Sequence, residues 1–304
     1  MSNVKKKARA PTQSGTVVAS FGRQFMVETA AGSVIPCVTR GKRTDIACGD
    51  RVAIAMTAPD QGVIESTAPR ASLFYRSDIQ REKLIAANVT QIVIVLAAAP
   101  PYHAELLDRC LAAAEEAGIP ALLALNKMDL PAAPAALRSL ERYRALGYDV
   151  LPLAAKIDIA PLRARLAGHV SVLVGQSGMG KSTIINRLLP DAAARVGELS
   201  AALGGGRHTT THARLYHLDA TSHIIDSPGL QEFGLVHVEP EDLAHCFREF
   251  RSHLGQCKFN DCKHLTEPGC AITAAAARGE IAAQRVESYR KLVTQLMNKA
   301  KRWD

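Results

Sequence analysis

The sequence predicts a multidomain chain: an N-terminal OB-type β-barrel, a central α/β nucleotide-binding domain with its segments in circularly permuted order, and a C-terminal helical domain with a metal-ligand cluster. Three observations predict it. About five short β-patterned runs fill residues 15–67; strand and helix patterns alternate from residue 71 and carry phosphate- and base-binding motifs; three cysteines and a histidine crowd between Cys257 and Cys270. The expected boundaries are 1–70, 71–236 and 237–304. A chain of 304 residues with 47% apolar residues is long enough to bury several cores.

The barrel comes first. After a basic arm with Lys5, Lys6, Lys7 and Arg9, the runs Thr16–Ala19, Gln24–Glu28, Ser33–Val38, Arg51–Met56 and Val63–Ser66 are separated by Gly22, Gly32, Gly41, Gly49 and the Asp60-Gln61-Gly62 turn. Runs of this length between turn residues read as strands. An OB-type barrel fits them best, and an SH3-like barrel has similar strand spacing. Residues 1–70 hold ten Lys/Arg against five Asp/Glu, most of the formal surplus of +8. A basic module on a near-neutral core points to a polyanion such as nucleic acid, and Arg40-Gly41-Lys42-Arg43 suits phosphate contact.

From residue 71 the pattern is α/β. Gln91–Ala97 and Ala121–Leu125 read as buried strands, and between them His103–Ala117 spaces Leu106, Leu107, Cys110 and Leu111 as a helix does. Val170–Val174 followed by Lys181–Leu189 repeats the unit, and Ser222–Ile225 is the last strand. Such alternation builds a largely parallel sheet. Beyond Gly234 the chain turns helical and ends in a helix over Arg285–Trp303, with Val286, Tyr289, Leu292, Val293 and Leu296 on one side. No run reaches the roughly 18 apolar residues of a bilayer span, and Met1–Thr12 lacks the apolar stretch of a secretory signal. The expected location is the cytoplasm.

Gly175-Gln176-Ser177-Gly178-Met179-Gly180-Lys181-Ser182 follows a strand and opens a helix that continues with Thr183. Glycines let backbone N–H groups wrap phosphate oxygens, Lys181 supplies charge to the outer phosphates, and Ser182 supplies an oxygen to Mg²⁺. Asn126-Lys127-Met128-Asp129 lies earlier in the chain, directly after an apolar strand. There the Asp129 carboxylate can accept from the N1–H and exocyclic amine of guanine, a donor pair adenine lacks; an unpaired buried carboxylate would cost on the order of 1–3 kcal/mol. Lys127 would lie along the ring face. In Ala154-Ala155-Lys156 the Ala155 N–H would donate to the guanine carbonyl oxygen. The ligand is therefore GTP or GDP, and the domain a P-loop GTPase. Ordinary GTPases begin with the phosphate loop, whereas here the base-reading half precedes it, so the domain is circularly permuted.

Asp226-Ser227-Pro228-Gly229 follows the last strand. Asp226 is placed to hold a Mg²⁺-bound water and the Gly229 N–H to meet a γ-phosphate. The next residue is Leu230, where many GTPases carry the glutamine that orients the attacking water. Gly204-Gly205-Gly206-Arg207-His208-Thr209-Thr210-Thr211 offers the missing groups: His208 to orient water and Thr210 to ligate Mg²⁺, with Thr211 the alternative ligand.

Cys257-x4-Cys262-x-His264-x5-Cys270 supplies three thiolates and one imidazole. This closed four-ligand set suits tetrahedral Zn²⁺ with no open position, hence a structural metal and a zinc-binding helical domain. Cys37, Cys48, Cys110 and Cys246 stand apart among apolar neighbours and read as core residues.

Taken together, the motifs resemble the ribosome small-subunit-dependent GTPase A family, also called RsgA or YjeQ, over nearly the whole chain. The resemblance implies binding to the small ribosomal subunit and its rRNA in late maturation, with GTP hydrolysis stimulated by the subunit and coupled to release. It also implies that Asn126 and Asp129 read guanine, His208 assists water attack, and Cys257, Cys262, His264 and Cys270 hold zinc. A monomer is the expected state. Two other readings stay open: a GTP-regulated RNA-binding scaffold with little turnover, which Leu230 favours, and a GTPase acting elsewhere in translation. The zinc-bearing segment begins some ten residues after Gly229, so switch motion is expected to reorient it.

Overall fold

A computed structural model describes residues 12–41, 45–78, 81–190, 213–226, 235 and 238–300. All five β-patterned runs are strands: β1 (Thr12–Phe21), β2 (Gln24–Thr29), β3 (Val34–Thr39), β4 (Arg51–Ala58) and β5 (Gln61–Thr67). β1 pairs antiparallel with both β2 and β4, and β3 pairs parallel with β5. The strands thus close in the order 1-2-3-5-4, the Greek-key closure of an OB barrel rather than an SH3-like one. Val17, Phe25, Val27, Ile35, Val52, Ile54 and Ile64 fill the interior. Where the chain leaves the barrel, Arg70 forks onto the fully buried Asp50, with Nε to Oδ1 at 2.6 Å and Nη2 to Oδ2 at 2.7 Å.

The α/β pattern does not start at residue 71 as expected. An antiparallel ribbon comes first, β6 (Leu73–Asp78) and β7 (Arg81–Ala87). The ribbon rests on the barrel, where the Ala87 N–H donates to Cys48 O at 2.8 Å. Its strands are shaped by that tertiary contact, which a local hydrophobic pattern does not report.

The central sheet follows with β8 (Gln91–Ala97), α1 (Ala104–Glu116), β9 (Ala121–Asn126), α2 (Ala133–Ala145), β10 (Asp149–Pro152), α3 (Ala160–Leu166), β11 (Val170–Val174), α4 (Lys181–Leu188), β12 (Arg214–His217) and β13 (His223–Asp226). Its order is β10-β9-β8-β11-β13-β12, parallel except for β12. β8 is apolar from Ile92 to Ala97 because both its faces are covered. Ile92, Ile94 and Leu96 join the core under α1 and α2, while Val93, Val95 and Ala97 join the core under α3 and α4.

β12 was not foreseen. In Arg-Leu-Tyr-His only Leu215 is buried, so no apolar run announces it. Its role is to bridge: it pairs with β13 on one side and touches β1 on the other at Ala19↔Arg214, making one sheet of eleven strands. A side-chain chain runs beside it, with Glu28 Oε2 2.7 Å from His217 Nε2 and His217 Nδ1 2.9 Å from His223 Nδ1.

The C-terminal module consists of two 3₁₀ turns (Leu243–Cys246 and Arg248–His253), α5 (Ala271–Ala277) and α6 (Ala283–Ala300). The terminal helix starts two residues earlier than expected, and its end beyond residue 300 lies outside the described residues. Val286, Tyr289, Leu292, Val293 and Leu296 are buried as its apolar stripe requires. Phe247 and Phe250 stack and Tyr289 meets both edge-on, with ring centroids 5.0–5.4 Å apart, and the three share one core with α1 and α2. Arg285 is 2% exposed and donates to both Asp108 of α1 and Glu249.

Candidate functional site

The two halves of the nucleotide motif set, separated in sequence, meet at the ends of strands that flank β8 in the sheet. β11 delivers the phosphate loop and β9 delivers Asn126, with β8 between them. The loop approaches its neighbours closely. A Cβ at Gly175 (φ +144°) would stand 2.3 Å from Val95 O, and one at Gly180 (φ +98°) would stand 2.3 Å from Asn126 Nδ2, so both positions require glycine. Asn126 is 3% exposed and clamps the halves together: its Nδ2 donates to Met179 O at 3.1 Å, and its Oδ1 accepts from the Ala155 N–H at 3.1 Å. Lys127, at φ +62°, adds a second tie, its Nζ donating to Ala99 O at 2.7 Å and Gly178 O at 2.8 Å.

Asn126, expected at the base, has its buried amide between the phosphate loop and the Ala154–Lys156 loop. The Ala155 N–H, expected to face the guanine carbonyl, donates here to Asn126 Oδ1, a buried amide oxygen that needs a donor. Asp129 and Lys156 are exposed at the same strand ends, and Met128 is held by its N–H to Leu153 O at 3.1 Å.

Lys181 opens α4. Its ammonium donates to Gly175 O and, at 2.8 Å, to Gln176 O. Burial draws its pKa down, opposed by the Asp226 carboxylate. Asp226 ends β13, where burial pushes its carboxyl up and the Lys181 charge opposes. A half-buried lysine and a half-buried carboxylate that feel each other's charge suit a phosphate with a divalent cation. Ser182 is exposed in the first turn of α4, with Thr183 half-buried beside it and Ser177 and Gly178 exposed in the loop. Gln176 reaches away from the loop, its Oε1 accepting the His103 N–H at 2.9 Å. That contact had no signal in the sequence. His208, Thr210, Thr211 and Gly229 lie outside the described residues.

The second site is the cysteine cluster. Nδ1 of His264 lies 3.4, 3.6 and 3.5 Å from the Sγ atoms of Cys257, Cys262 and Cys270, and all four ligand atoms fall within 4.8 Å of one another. A tetrahedral Zn²⁺ with ordinary bond lengths places sulfur and nitrogen about 3.6 Å apart, so the donor set and its spacing fit that ion. The knuckle is braced from α6, where Tyr289 Oη donates to Lys263 O at 3.0 Å and Arg290 Nε to His264 O at 3.2 Å. Cys37, Cys48, Cys110 and Cys246 are buried away from this cluster.

A parallel sheet that carries a phosphate loop on one strand and Asn-Lys-x-Asp on an earlier one defines a circularly permuted GTPase. Comparison with known proteins narrows the class. The RsgA GTPase family model matches residues 67–236, and the chain belongs to that family; it is a GTP-hydrolysing enzyme. Small ribosomal subunit biogenesis GTPase RsgA of Nitrosospira multiformis is 53% identical over 94% of this chain and 92% of its own length. Its namesake from Nitrosomonas europaea is 53% identical over 95% and 93%. Among solved structures, YjeQ from Thermotoga maritima superposes with a TM-score of 0.73 at 31% identity, covering 94% of this chain and 99% of that one. YloQ, a circularly permuted GTPase, gives 0.69 at 26% identity, covering 95% and 96%. Among the described residues no helix is long and apolar enough to cross a membrane.

Proposed function

We propose that this GTPase binds the small ribosomal subunit and its rRNA during late maturation, that the subunit stimulates its GTP hydrolysis, and that hydrolysis is coupled to its release. The relatives' names, small ribosomal subunit biogenesis GTPase, support the partner. The observation that supports the nucleotide half is the Asn126 clamp, which ties the strand end just before Asp129 to the phosphate loop. In this reading Asp129 takes the guanine edge, Lys127 and Lys156 flank the base, and residues 175–183 cradle the phosphates. Ser182 and Thr210 hold Mg²⁺, with Thr211 the alternative ligand, Asp226 holds a metal-bound water, and the Gly229 N–H contacts the γ-phosphate. When bound, Mg²⁺ offsets charge on the phosphate oxygens. His208 orients the attacking water. Cys257, Cys262, His264 and Cys270 hold a structural zinc that fixes the C-terminal fold. The units are 1–70, 71–236 and 237–304, the first contacting RNA through its basic surface, and the protein works as a cytoplasmic monomer.

The test is GTP turnover measured alone, with isolated small subunits and with isolated large subunits. Stimulation by small subunits alone supports the proposal, and equal rates in all three reactions overturn it. Leu230, in place of a water-orienting glutamine, favours a second reading, an RNA-binding scaffold with little turnover. A His208→Ala variant separates the two: turnover lost with GTP binding retained speaks for the enzyme, and unchanged turnover removes His208 from the mechanism.

A further inference from the structure

One helix holds the phosphate loop at its start and the C-terminal module along the rest of its length. At the head of α1, the His103 N–H donates to Gln176 Oε1 at 2.9 Å. In its second turn the fully buried Asp108 accepts from Arg285 Nη1 and from Tyr143 Oη, each at 2.7 Å. At its last turn Glu115 holds Arg248 at 2.7 Å and Arg251 at 2.6 Å. A helix of this length spans roughly 18 Å, and its packed contacts make it move as a unit.

Gln176 is bound twice. Its main-chain oxygen accepts the Lys181 ammonium at 2.8 Å, while its side-chain oxygen holds α1. Phosphate oxygens are stronger acceptors for an ammonium than a neutral peptide carbonyl, so a triphosphate in the loop takes Lys181 away from the Gln176 peptide. We infer that Gln176 is a positioning residue: through the His103 N–H it passes the state of the phosphate loop to α1, and through Asp108–Arg285 to the zinc-bearing module. A cavity of about 740 Å³ lies alongside, between α1 and α6, lined by Tyr102, His103, Arg109, Gln176, Gln284 and Lys291. Arg109 Nη2 donates to Gln295 Oε1 at 2.9 Å and Lys291 Nζ to Glu105 Oε2 at 3.4 Å, further ties between the two helices. This route is separate from the covalent link that follows Gly229, and it deepens the proposed function by naming how nucleotide state would set the affinity for the subunit.

The experiment needs no ribosomal particle, so its failure is distinguishable from failure of the proposed partner. Amide exchange in α6 and in residues 248–253 is compared for the zinc-loaded full chain with GDP and with a non-hydrolysable GTP analogue. The expected result is a nucleotide-dependent difference in wild type. Gln176→Met keeps the side-chain length but lacks the acceptor, and should shrink that difference by about twofold to tenfold, the worth of one net hydrogen bond. His103→Pro removes the donor along with the imidazole, φ −83° at this position accepting proline, and should do the same, whereas His103→Ala, which keeps the N–H, should not. The double variant should be no worse than either alone, and Gln176→Glu, which keeps an acceptor, should restore the response. No difference in wild type, a full difference in Gln176→Met, or additive effects in the double variant would overturn the inference.

Discussion

Arg285→Met tests the junction between the GTPase sheet and the C-terminal module most directly. Arg285 is 2% exposed, donating to Asp108 at 2.7 Å and to Glu249 at 2.5 and 3.2 Å, with its guanidinium 4.4 Å from the Phe247 ring. Methionine keeps much of the volume but leaves two buried carboxylates without their cation. Breaking one buried pair costs about 3–5 kcal/mol, because a desolvated charge stays behind. With a urea dependence of about 2 kcal/mol per molar, the unfolding midpoint should fall by roughly 2 M. Equilibrium unfolding of the zinc-loaded chain followed by circular dichroism measures it. Arg285→Lys should recover little, since a point charge cannot fork to both carboxylates. Arg285→Met combined with Asp108→Asn and Glu249→Gln should recover most of the loss. A single-variant midpoint within about 0.3 M of wild type would refute the reasoning, because it would mean that the two carboxylates do not depend on Arg285.

Three further outcomes follow from the same contacts. Asn126→Ala leaves Met179 O and the Ala155 N–H unpaired and should weaken GTP binding at least about tenfold in a fluorescent-nucleotide titration; Asn126→Asp should fare no better, since a carboxylate cannot donate to Met179 O. His223 has its pKa held below the ordinary 6.5 first by burial and then by the neighbouring His217 charge, so the unfolded chain binds a proton that the folded chain resists. Stability should therefore be full above about pH 6.5 and decline as pH falls toward the lowered folded value, and a His223→Gln variant should flatten that slope in thermal melts across pH 5 to 8. Metal analysis should find one zinc per chain, and Cys270→Ser should lose it together with amide protection in α5 and α6.

The site was legible where chemistry forces short, local patterns. Lys181 and Ser182 must follow a glycine-rich turn, and Asp129 must follow a buried strand, so spacing alone pointed to both halves of the candidate site. The cysteine knuckle was legible for the same reason. What escaped depends on contacts far apart in sequence. β12 is half polar because it fills the gap between the barrel and the sheet. The β6–β7 ribbon is shaped by the barrel it rests on. Arg285 sits at the start of a helix where a solvated cation would look ordinary, and only the folded chain brings Asp108 and Glu249 to it. The bond from the Ala155 N–H to Asn126 Oδ1 escaped as well, because it is a property of the packed loops.

The permuted order also bears on how the chain is made. β8 ends at Ala97, and β11, which pairs with it in the finished sheet, begins only at Val170. At ordinary synthesis rates of about 5–20 residues per second, one flank of the most apolar strand waits roughly 4–15 s for its neighbour. Exposed strand flanks of this kind invite pairing with foreign chains, so the nascent protein carries a sticky interval set by the stretch of chain between β8 and β11.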